Sequence, residues 1–511
     1  MNKNYSKQIR VCTMDKVKTN EVSEGISIDK ILETSICRIT GGSKSTKNNK
    51  ITYLKDAVEN FPVWLEGINS AEKFICIEMY IWEPKNYGQK VRDLLIKKLK
   101  QGVNVYLIYD WFGSLSAHIK GFFNPLRENG ARVFTFNKLN VFSGMGVLSR
   151  NHRKSIIIDG RKAYVSGLCM SSDWEGDPKK GIPAWRDSGL ELEGPIVLEV
   201  LEAFKGTLSD LSEVAFDEKP LPMRDLSQEA SLSNAWVIAT SRLTANMIRL
   251  DLMAITFAQS SVWITDAYFM PTKMYLQLLI NAAKDGVDVR ILVPRSSDIP
   301  WIASVSRTQY RDLLEAGVRI FEWNGSMIHS KTLVLDGKWA RVGSTNLNIS
   351  SWFANSELDI MLEGEEAVLP LAMAYLDDIK HSTEIVLSED RKAQLANERE
   401  KLTPVERSRF TNMQSKALVR QMAYLGKSID EIFRGSTEDQ DVLDKAEFYS
   451  YLGISIVLLV LTILFFKFTD LIAYPIIFTS FVTTFLTGYR SFQAFRLIKN
   501  EKSDRRKGKM G

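Results

Sequence analysis

Two stretches of the sequence carry the same pattern and decide the fold: NHRKSIIIDGRKAYVSG at residues 151–167 and IHSKTLVLDGKWARVGSTNLN at residues 328–348. In each stretch a histidine is followed by a lysine two positions later and an aspartate seven positions later. The matching residues are His152, Lys154 and Asp159 in the first stretch and His329, Lys331 and Asp336 in the second. Average residue usage places lysine and aspartate at these offsets only about once in several hundred histidines. Because the chain has only four histidines, the pattern indicates a duplication.

The spacing within the pattern predicts a local structure. Side chains at positions i and i+2 of a β-strand point to the same side, so each histidine should project together with its lysine. The apolar runs SIII and TLVL that follow suit a sheet interior. Asp159-Gly160 and Asp336-Gly337 then fall between strand-like runs, where Asp-Gly is typical of a two-residue hairpin turn. Two interpretations of the aspartates stay open: they act at the substrate, or they fix their turns and neighbouring side chains.

The sequence before each pattern also repeats. FICIEMYIW at residues 74–82 corresponds to VWITDAYFM at residues 262–270, and both read as buried strands. Downstream, LLIKKLKQGVNVYLIYD corresponds to LLINAAKDGVDVRILVP, where Gly102 and Gly286 end a helix before an apolar strand. Repeated strand-helix-strand units predict an α/β fold, with a parallel or mixed sheet flanked by helices in each half.

Composition excludes several classes of function. The 511 residues are enough for two folded halves, and the net charge of +5 does not call for a nucleic-acid partner. Cys12, Cys37, Cys76 and Cys169 are widely scattered, so neither a zinc site nor a redox pair is predicted, and no metal or cofactor is expected. The N-terminal sequence has no apolar core of the signal-peptide kind, which predicts that the catalytic portion is not exported.

Two apolar segments near the C-terminus predict a membrane anchor. Residues 448–466 and 471–489 are each 19 residues long without a formal charge, and each would span roughly 28 Å as a helix. Only four residues separate them, which favours a transmembrane helical hairpin over a buried helix pair in a soluble domain. The basic tail that follows places both termini in the cytoplasm by the positive-inside rule. The expected location is therefore the cell inner (cytoplasmic) membrane, with the catalytic region in the cytoplasm.

These observations predict six segments. They are a polar, weakly ordered N-terminal segment (1–50), a first half (51–215), a second half (216–387), a charged helical linker (388–447), the hairpin (448–489) and a basic cytoplasmic tail (490–511).

The two His-x-Lys-x4-Asp motifs resemble the HKD signatures of the phospholipase D superfamily. Three further segments are similar to bacterial cardiolipin synthases, particularly the type without N-terminal membrane helices: WRDSGLELEGP from Trp185, ITDAYFMP from Ile264 and GSTNLN from Gly343. The resemblance covers roughly residues 50–384. It implies two similar α/β/α halves that bring their motifs together at one shared active site.

The resemblance also implies roles for individual residues. His152 would attack phosphorus and His329 would act as general acid and base, although sequence symmetry alone does not choose between them. The two motif lysines would stabilise charge on the phosphoryl oxygens. The remaining implied site residues are Asn346, as an amide donor, and Asp187 and Glu357, as carboxylates that orient the histidines. Cys169 occupies the first-half position that corresponds to Asn346, a departure that puts one amide donor in doubt.

Three functions remain open at this point. The first is a cardiolipin synthase-like phosphatidyltransferase, which moves a phosphatidyl group between two phosphatidylglycerol molecules and releases glycerol. The second is a phospholipase D that hydrolyses phosphatidyl lipids, and a superfamily nuclease is a more distant third. The expected partners are phosphatidylglycerol, other phospholipids and the membrane, and no nucleic acid is expected.

Overall fold

A computed structural model describes residues 28–40, 42–43, 45–137, 149–229, 231–241 and 244–387. The predicted linker (388–447), hairpin (448–489) and basic tail lie outside these residues. Within the described ranges, none of the helices is both long enough and apolar enough to cross a bilayer.

The described residues form fifteen β-strands and twelve α-helices. The strands are β1 (Thr46–Lys55), β2 (Phe74–Met79), β3 (Asn104–Asp110), β4 (Arg132–Phe136), β5 (Ser155–Ile158), β6 (Lys162–Ser166), β7 (Ser188–Glu193), β8 (Ser233–Thr240), β9 (Ser261–Thr265), β10 (Asp288–Pro294), β11 (Arg319–Trp323), β12 (Thr332–Leu335), β13 (Trp339–Gly343), β14 (Glu357–Glu363) and β15 (Ser382–Ile385). The helices are α1 (Ile28–Ile39), α2 (Asp56–Ser70), α3 (Asn86–Lys100), α4 (Leu115–Ile119), α5 (Asn124–Glu128), α6 (Ser172–Glu175), α7 (Ile196–Leu211), α8 (Asn246–Phe257), α9 (Lys273–Lys284), α10 (Pro300–Thr308), α11 (Tyr310–Ala316) and α12 (Glu365–Lys380). A 3₁₀ turn (Pro178–Lys180) and a π-helical turn (Ser350–Ala354) complete the set.

The strand order is the same in the two halves. All fifteen strands join one sheet, which runs β1-β7-β6-β5-β2-β3-β4 in the first half and β8-β14-β13-β12-β9-β10-β11 in the second, with β15 added at the edge. In each half three strands are parallel, β2, β3 and β4 or β9, β10 and β11, and the other neighbours are antiparallel. An antiparallel contact between β1 and β8 joins the halves. The prediction of an α/β fold with two similar halves is confirmed.

Local sequence explains how the elements end. Gly102 and Gly286, just beyond α3 and α9, have φ values of 88° and 95°, which glycine adopts without the Cβ penalty. The Asp-Gly turns also form as predicted: Asp159 and Gly160 both have positive φ, and Arg161 N–H donates to Ile158 O at 2.9 Å. The hairpins β5-β6 and β12-β13 are therefore fixed by their turn residues.

A shared hydrophobic core ties the two halves together. Residues of the first-half strands β5–β7, such as Val165 and Leu190, belong to the same buried cluster as Val342 and Leu358 of β13 and β14. Helices α7 and α12 add their buried faces to this cluster, including Phe204. Burying one such large side chain stabilises the fold by about 1.5–3 kcal/mol. The core lies behind the strands that carry the motif residues, so it fixes one half against the other.

The prediction of a weakly ordered segment up to residue 50 is wrong over part of its length. Helix α1 forms at Ile28–Ile39, and β1 begins at Thr46 and pairs with both β7 and β8. The polar sequence TKNNK did not indicate a central strand, because the hydrogen bonds that allow its amide to be buried come partly from distant segments of the chain. Asn49 Nδ2 donates to Thr46 O at 2.8 Å, and its Oδ1 accepts from Ile196 N–H at 2.8 Å.

Candidate active site

His152 lies just before β5 and is held by the second half of the chain. Its Nδ1 lies 2.9 Å from Glu357 Oε2, at the start of β14. Its backbone N–H donates to Ser356 O at 2.9 Å. The hydroxyl of Ser344 donates to the same Glu357 oxygen at 2.6 Å. Because Nδ1 is engaged by a carboxylate, the imidazole is held with Nε2 as its remaining reactive nitrogen.

His329 lies just before β12 and is held in the same way by the first half. Its Nδ1 lies 2.8 Å from Asp187 Oδ2, directly before β7. Its backbone N–H donates to Arg186 O at 2.7 Å. The indole N–H of Trp174 donates to the same Asp187 oxygen at 2.8 Å. Each histidine therefore depends on a carboxylate from the other half, and neither half alone contains a complete histidine-carboxylate pair.

Both histidines line one cleft of about 510 Å³. Antiparallel pairing explains why they meet: β5 and β12 start beside the carboxyl ends of β2 and β9, where Glu78 pairs with Ser155 and Thr265 with Thr332. The lining also includes Tyr80 and Tyr268, Trp174 and Trp185, Cys169 and Asn346.

The two motif lysines are buried beside the histidines. Lys154 Nζ donates to His152 O at 2.5 Å, and Lys331 Nζ lies 2.8 Å from each ring nitrogen of His329. A position equidistant from both ring nitrogens is in line with neither lone pair, so Lys331 acts on this ring mainly through its charge. Both lysines are about 1% exposed. Buried positive charge at the wall of the cleft is well suited to stabilise a phosphoryl anion.

Comparisons with known proteins agree with this arrangement. The family described as "Cardiolipin synthase, PLD-like domain" matches residues 64–172 and 252–377. Cardiolipin synthase 1 of Bacillus anthracis is 33% identical over 365 residues, which cover 69% of this chain and 70% of that protein. The chain belongs to the cardiolipin synthase family. The resemblance noted in the sequence is confirmed.

One further relative supports the family, and one solved structure shows the same fold. The cardiolipin synthase of Alkalihalophilus pseudofirmus is 32% identical over 346 residues, covering 67% of this chain and 68% of that protein. A solved structure of phosphatidylserine synthase from Haemophilus influenzae matches with a TM-score of 0.51 at 15% identity, covering 73% of this chain and 95% of that one. The structural match shows a common fold.

Burial sets the protonation of the two histidines in this cardiolipin synthase family member. Burial lowers the pKa of His152 below its usual value, although Glu357 opposes the shift. Burial and the neighbouring Lys331 lower the pKa of His329 further, to about 3. Both rings are therefore neutral at pH 7, with Nδ1–H donating to the carboxylate.

The groups around the histidines also have shifted pKa values. Burial alone would raise the pKa of Asp187, but His329, Lys331 and Trp174 outweigh it and hold the carboxyl below its usual range. Burial, together with repulsion from Lys154, lowers the pKa of Lys331 to about 8 against the attraction of Asp187. At pH 7 the two histidine-orienting carboxyl groups are therefore ionised, the two catalytic histidines are neutral, and Lys331 is largely cationic.

The motif aspartates do not join this site. Asp159 accepts backbone N–H bonds from Glu72, Lys73 and Phe74 at 2.7–2.8 Å, and these residues lead into β2. Asp336 accepts in the same way from Gln259, Ser260 and Ser261 before β9 at 2.7–2.9 Å. Among the described residues that line the cleft, neither aspartate is present. Of the two interpretations left open, the geometry favours the structural one, and a direct catalytic contact is not formed.

The position of Cys169 matches the sequence correspondence with Asn346. Both residues are buried in the lining of the cleft. Burial raises the pKa of the Cys169 thiol, which disfavours the nucleophilic thiolate form. The side-chain oxygen of Asn346 is buried and has no hydrogen-bond partner among the described residues. This oxygen can accept a hydrogen bond from a ligand hydroxyl in the cleft, whereas a contact with phosphate would use the Nδ2 hydrogens.

Sequence reasoning missed how the two carboxylates are supported. Ser344 corresponds to Gly167 in the first half, and a Cβ at Gly167 would lie 2.2 Å from Asp187 Oδ1. A side chain there is excluded, so the donor that Ser344 provides in the second half is replaced by Trp174 in the first. Its repeat equivalent, Trp352, makes no hydrogen bond from its indole N–H among the described residues, so the repeat carried no signal for this contact. Tyr80 and Tyr268, in contrast, occupy equivalent repeat positions and pack against His152 and His329 at centroid distances of 4.8 and 5.8 Å.

In the described ranges, no group of three or more His, Cys, Asp or Glu side chains converges as a metal site would require.

Proposed function

We propose that this chain is a phosphatidyltransferase that makes cardiolipin from two phosphatidylglycerol molecules through a phosphohistidine intermediate. The observation that carries the proposal is the crossed arrangement in one cleft: two histidines, each with a carboxylate from the other half on Nδ1, beside two buried lysines. Histidine rings prepared in this way can act as nucleophile and as acid and base. The relatives are named as cardiolipin synthases, and we take cardiolipin as the product from that name.

The first step transfers the phosphatidyl group to the protein. The donor phosphodiester binds beside Lys154 and Lys331, and its negative charge raises the proton affinity of His329, so that Nε2 of this ring takes up a proton from solvent when the lipid binds. His152 Nε2 then attacks phosphorus, and the bond from phosphorus to the glycerol oxygen breaks. His329 gives its proton to the departing oxygen, so that glycerol leaves as a neutral alcohol. The assignment of attack to His152 follows the family resemblance.

The second step returns the phosphatidyl group to a lipid. A hydroxyl of the second phosphatidylglycerol gives its proton to His329 and attacks phosphorus. The bond from phosphorus to His152 Nε2 breaks, which releases cardiolipin and the neutral ring. In both steps the lysines stabilise charge on the nonbridging oxygens, and Asn346 adds an amide contact.

Aromatic packing around His329 supports transfer to an alcohol over hydrolysis. The rings of Trp174, Trp185 and Tyr268 lie with centroids 5.1, 5.7 and 5.8 Å from the imidazole. These apolar walls limit the space for water beside the ring that must activate the acceptor. Hydrolysis by the same two steps remains the competing reaction, with water in place of the second lipid.

The sequence supports a membrane location for this reaction. Residues 448–489 form the proposed hairpin, and the basic tail at residues 490–511 keeps both termini in the cytoplasm. The substrate of the proposed reaction resides in the membrane that this anchor would occupy. Cysteine labelling that placed the tail outside the cell would contradict this topology.

The proposed function is tested by product analysis. Purified full-length protein is mixed with labelled phosphatidylglycerol in mixed micelles, and every lipid product is identified. Cardiolipin and glycerol in equal amounts are expected. Phosphatidic acid as the main product would identify a hydrolase, and the absence of any product would contradict both reactions.

A further inference from the structure

The mouth of the cleft carries large apolar side chains that are exposed to solvent. We call five of them the apolar rim: Phe112, Ile299, Trp301, Val305 and Ile349, with exposed fractions of 56%, 37%, 59%, 39% and 62%. Apolar residues exposed singly are ordinary on a protein surface, whereas a group beside one opening marks an interaction site.

Each member of the rim is tied to the cleft by its position. Ile299 and Trp301 are part of the cleft lining, and Val305 follows Trp301 by one turn of α10. Ile349 stands in sequence between two lining residues. The ring of Phe112 lies 5.2 Å from the guanidinium carbon of Arg150, which also lines the cleft.

The rim is contributed by equivalent segments of the two halves. Phe112 follows β3, and Ile299 and Trp301 follow β10, which is the strand at the same position in the second half. Both segments leave the carboxyl ends of parallel strands, at the sheet edge where the two histidines lie. The duplication therefore lets both halves contribute apolar side chains beside the opening.

We propose that the apolar rim inserts into the surface of a phospholipid bilayer, so that the cleft opens directly onto the lipid-water interface. This inference rests on the proposed function, because a diacyl lipid that reacts in the cleft must come from a bilayer. Trp301 suits such a position, since indole side chains concentrate at membrane-water interfaces. Insertion to a depth of about 5–10 Å would cover side chains of this size.

Docking at this face explains how a lipid can react without leaving its membrane. The headgroup phosphate reaches Lys154 and Lys331, while the acyl chains remain between the rim side chains and the bilayer. Both substrates can enter in this way, since the donor and the acceptor lie in the same leaflet. The rim then governs access to lipid in bilayers and has no role for a substrate dissolved in water.

The test compares two substrates of the full-length protein. One is long-chain phosphatidylglycerol in vesicles, and the other is a short-chain phosphatidylglycerol kept below its critical micelle concentration. The rim variant is Phe112→Asp with Ile349→Asp, and Ile349→Asp alone avoids disturbing the contact with Arg150. The matched control is Leu369→Asp with Met373→Asp on α12, whose exposed fractions of 58% and 59% are close to the 56% and 62% of the rim pair.

The quantity measured is the ratio of the rate on vesicles to the rate on monomeric lipid. We expect the ratio to fall by about fivefold or more in the rim variants, because a charge opposes apolar insertion, and to stay within about twofold in the control. An unchanged ratio in the rim variants would overturn the inference. An equal fall in the control, or an equal loss on both substrates, would overturn it as well.

A second measurement does not depend on catalysis. A photoreactive amino acid placed at position 349 should form adducts with lipid in phosphatidylglycerol vesicles, and the same group at position 373 should not. Absence of lipid adducts at position 349 would refute the rim proposal. A wild-type protein that crosslinks in this way but turns over neither substrate would instead contradict the proposed function.

Discussion

Asp187 and Glu357 each accept a hydrogen bond from a different kind of donor, an indole and a hydroxyl. Removing these donors one at a time should impair different steps of the reaction. Trp174→Phe removes the indole N–H that donates to Asp187 Oδ2 at 2.8 Å, on the oxygen that also binds His329. Ser344→Ala removes the hydroxyl that donates to Glu357 Oε2 at 2.6 Å, on the oxygen that also binds His152. The first change loosens the carboxylate that holds His329, the proposed acid and base. The second loosens the carboxylate that holds His152, the proposed nucleophile.

The magnitude follows from the burial of these contacts. Asp187 and Glu357 are both fully buried, and a hydrogen bond to a charged group contributes about 1.5–3 kcal/mol. Since about 1.4 kcal/mol in the barrier corresponds to tenfold in rate, turnover of phosphatidylglycerol should fall by about 10-fold to 100-fold in each variant. Trp174 is also a buried core residue, so the melting temperature of both variants must be measured beside the rate.

The assay uses a phosphatidyl ester with a good leaving group, such as p-nitrophenol. Its first step needs little protonation, so Trp174→Phe should release the phenol almost as fast as the wild type. Ser344→Ala should remain slow, because its attacking ring is the one affected. Equal losses with both esters in both variants, or an unaffected turnover of phosphatidylglycerol in folded Trp174→Phe, would refute the division of roles between His329 and His152.

Three further outcomes are expected. Turnover should decline as the pH rises through about 8, because burial lowers the pKa of Lys331 to about 8 and this lysine then loses its charge. An arginine stays charged at this pH, so the remaining activity of Lys331→Arg should not show the decline. Asp159→Ala should reduce the melting temperature more than Asp336→Ala, since Asp159 is only 3% exposed and water cannot replace its backbone contacts; a loss of kcat at an unchanged melting temperature would show a direct catalytic role. Exhaustive chelation should leave turnover unchanged, because histidine and lysine supply the nucleophile and the positive charge, and recovery of a lost activity by one divalent ion would contradict this.

The repeated pattern was enough to predict most of the fold and the centre of the site. Strand period, Asp-Gly turns and glycine helix ends are local signals, and β2, β5 and their second-half equivalents form where these signals placed them. The pairing of Asp187 with His329 and of Glu357 with His152 came from the family resemblance. No spacing in one half could have indicated it, because each pair joins residues more than 140 positions apart.

The features that escaped prediction depend on tertiary contacts. Strand β1 escaped prediction because its sequence is polar. Its Asn49 can be buried only because the side-chain amide forms hydrogen bonds with residues of β8 and α7. Trp174 supports Asp187 only because Gly167 leaves room for the carboxylate. The apolar rim comes from three separate segments of the sequence, one of which includes the start of α10, and only the folded sheet brings these segments to one opening.

The central claim, a phosphatidyl group carried on one histidine and passed to a second lipid, is tested most directly by trapping the intermediate. Wild-type protein is mixed with labelled phosphatidylglycerol, quenched rapidly and mapped for modified peptides. We predict a phosphatidyl adduct on His152 that disappears as cardiolipin forms during a chase with unlabelled phosphatidylglycerol. An adduct on His329 would reverse the assignment of roles, and cardiolipin formed with no adduct on either histidine would contradict the double-displacement mechanism.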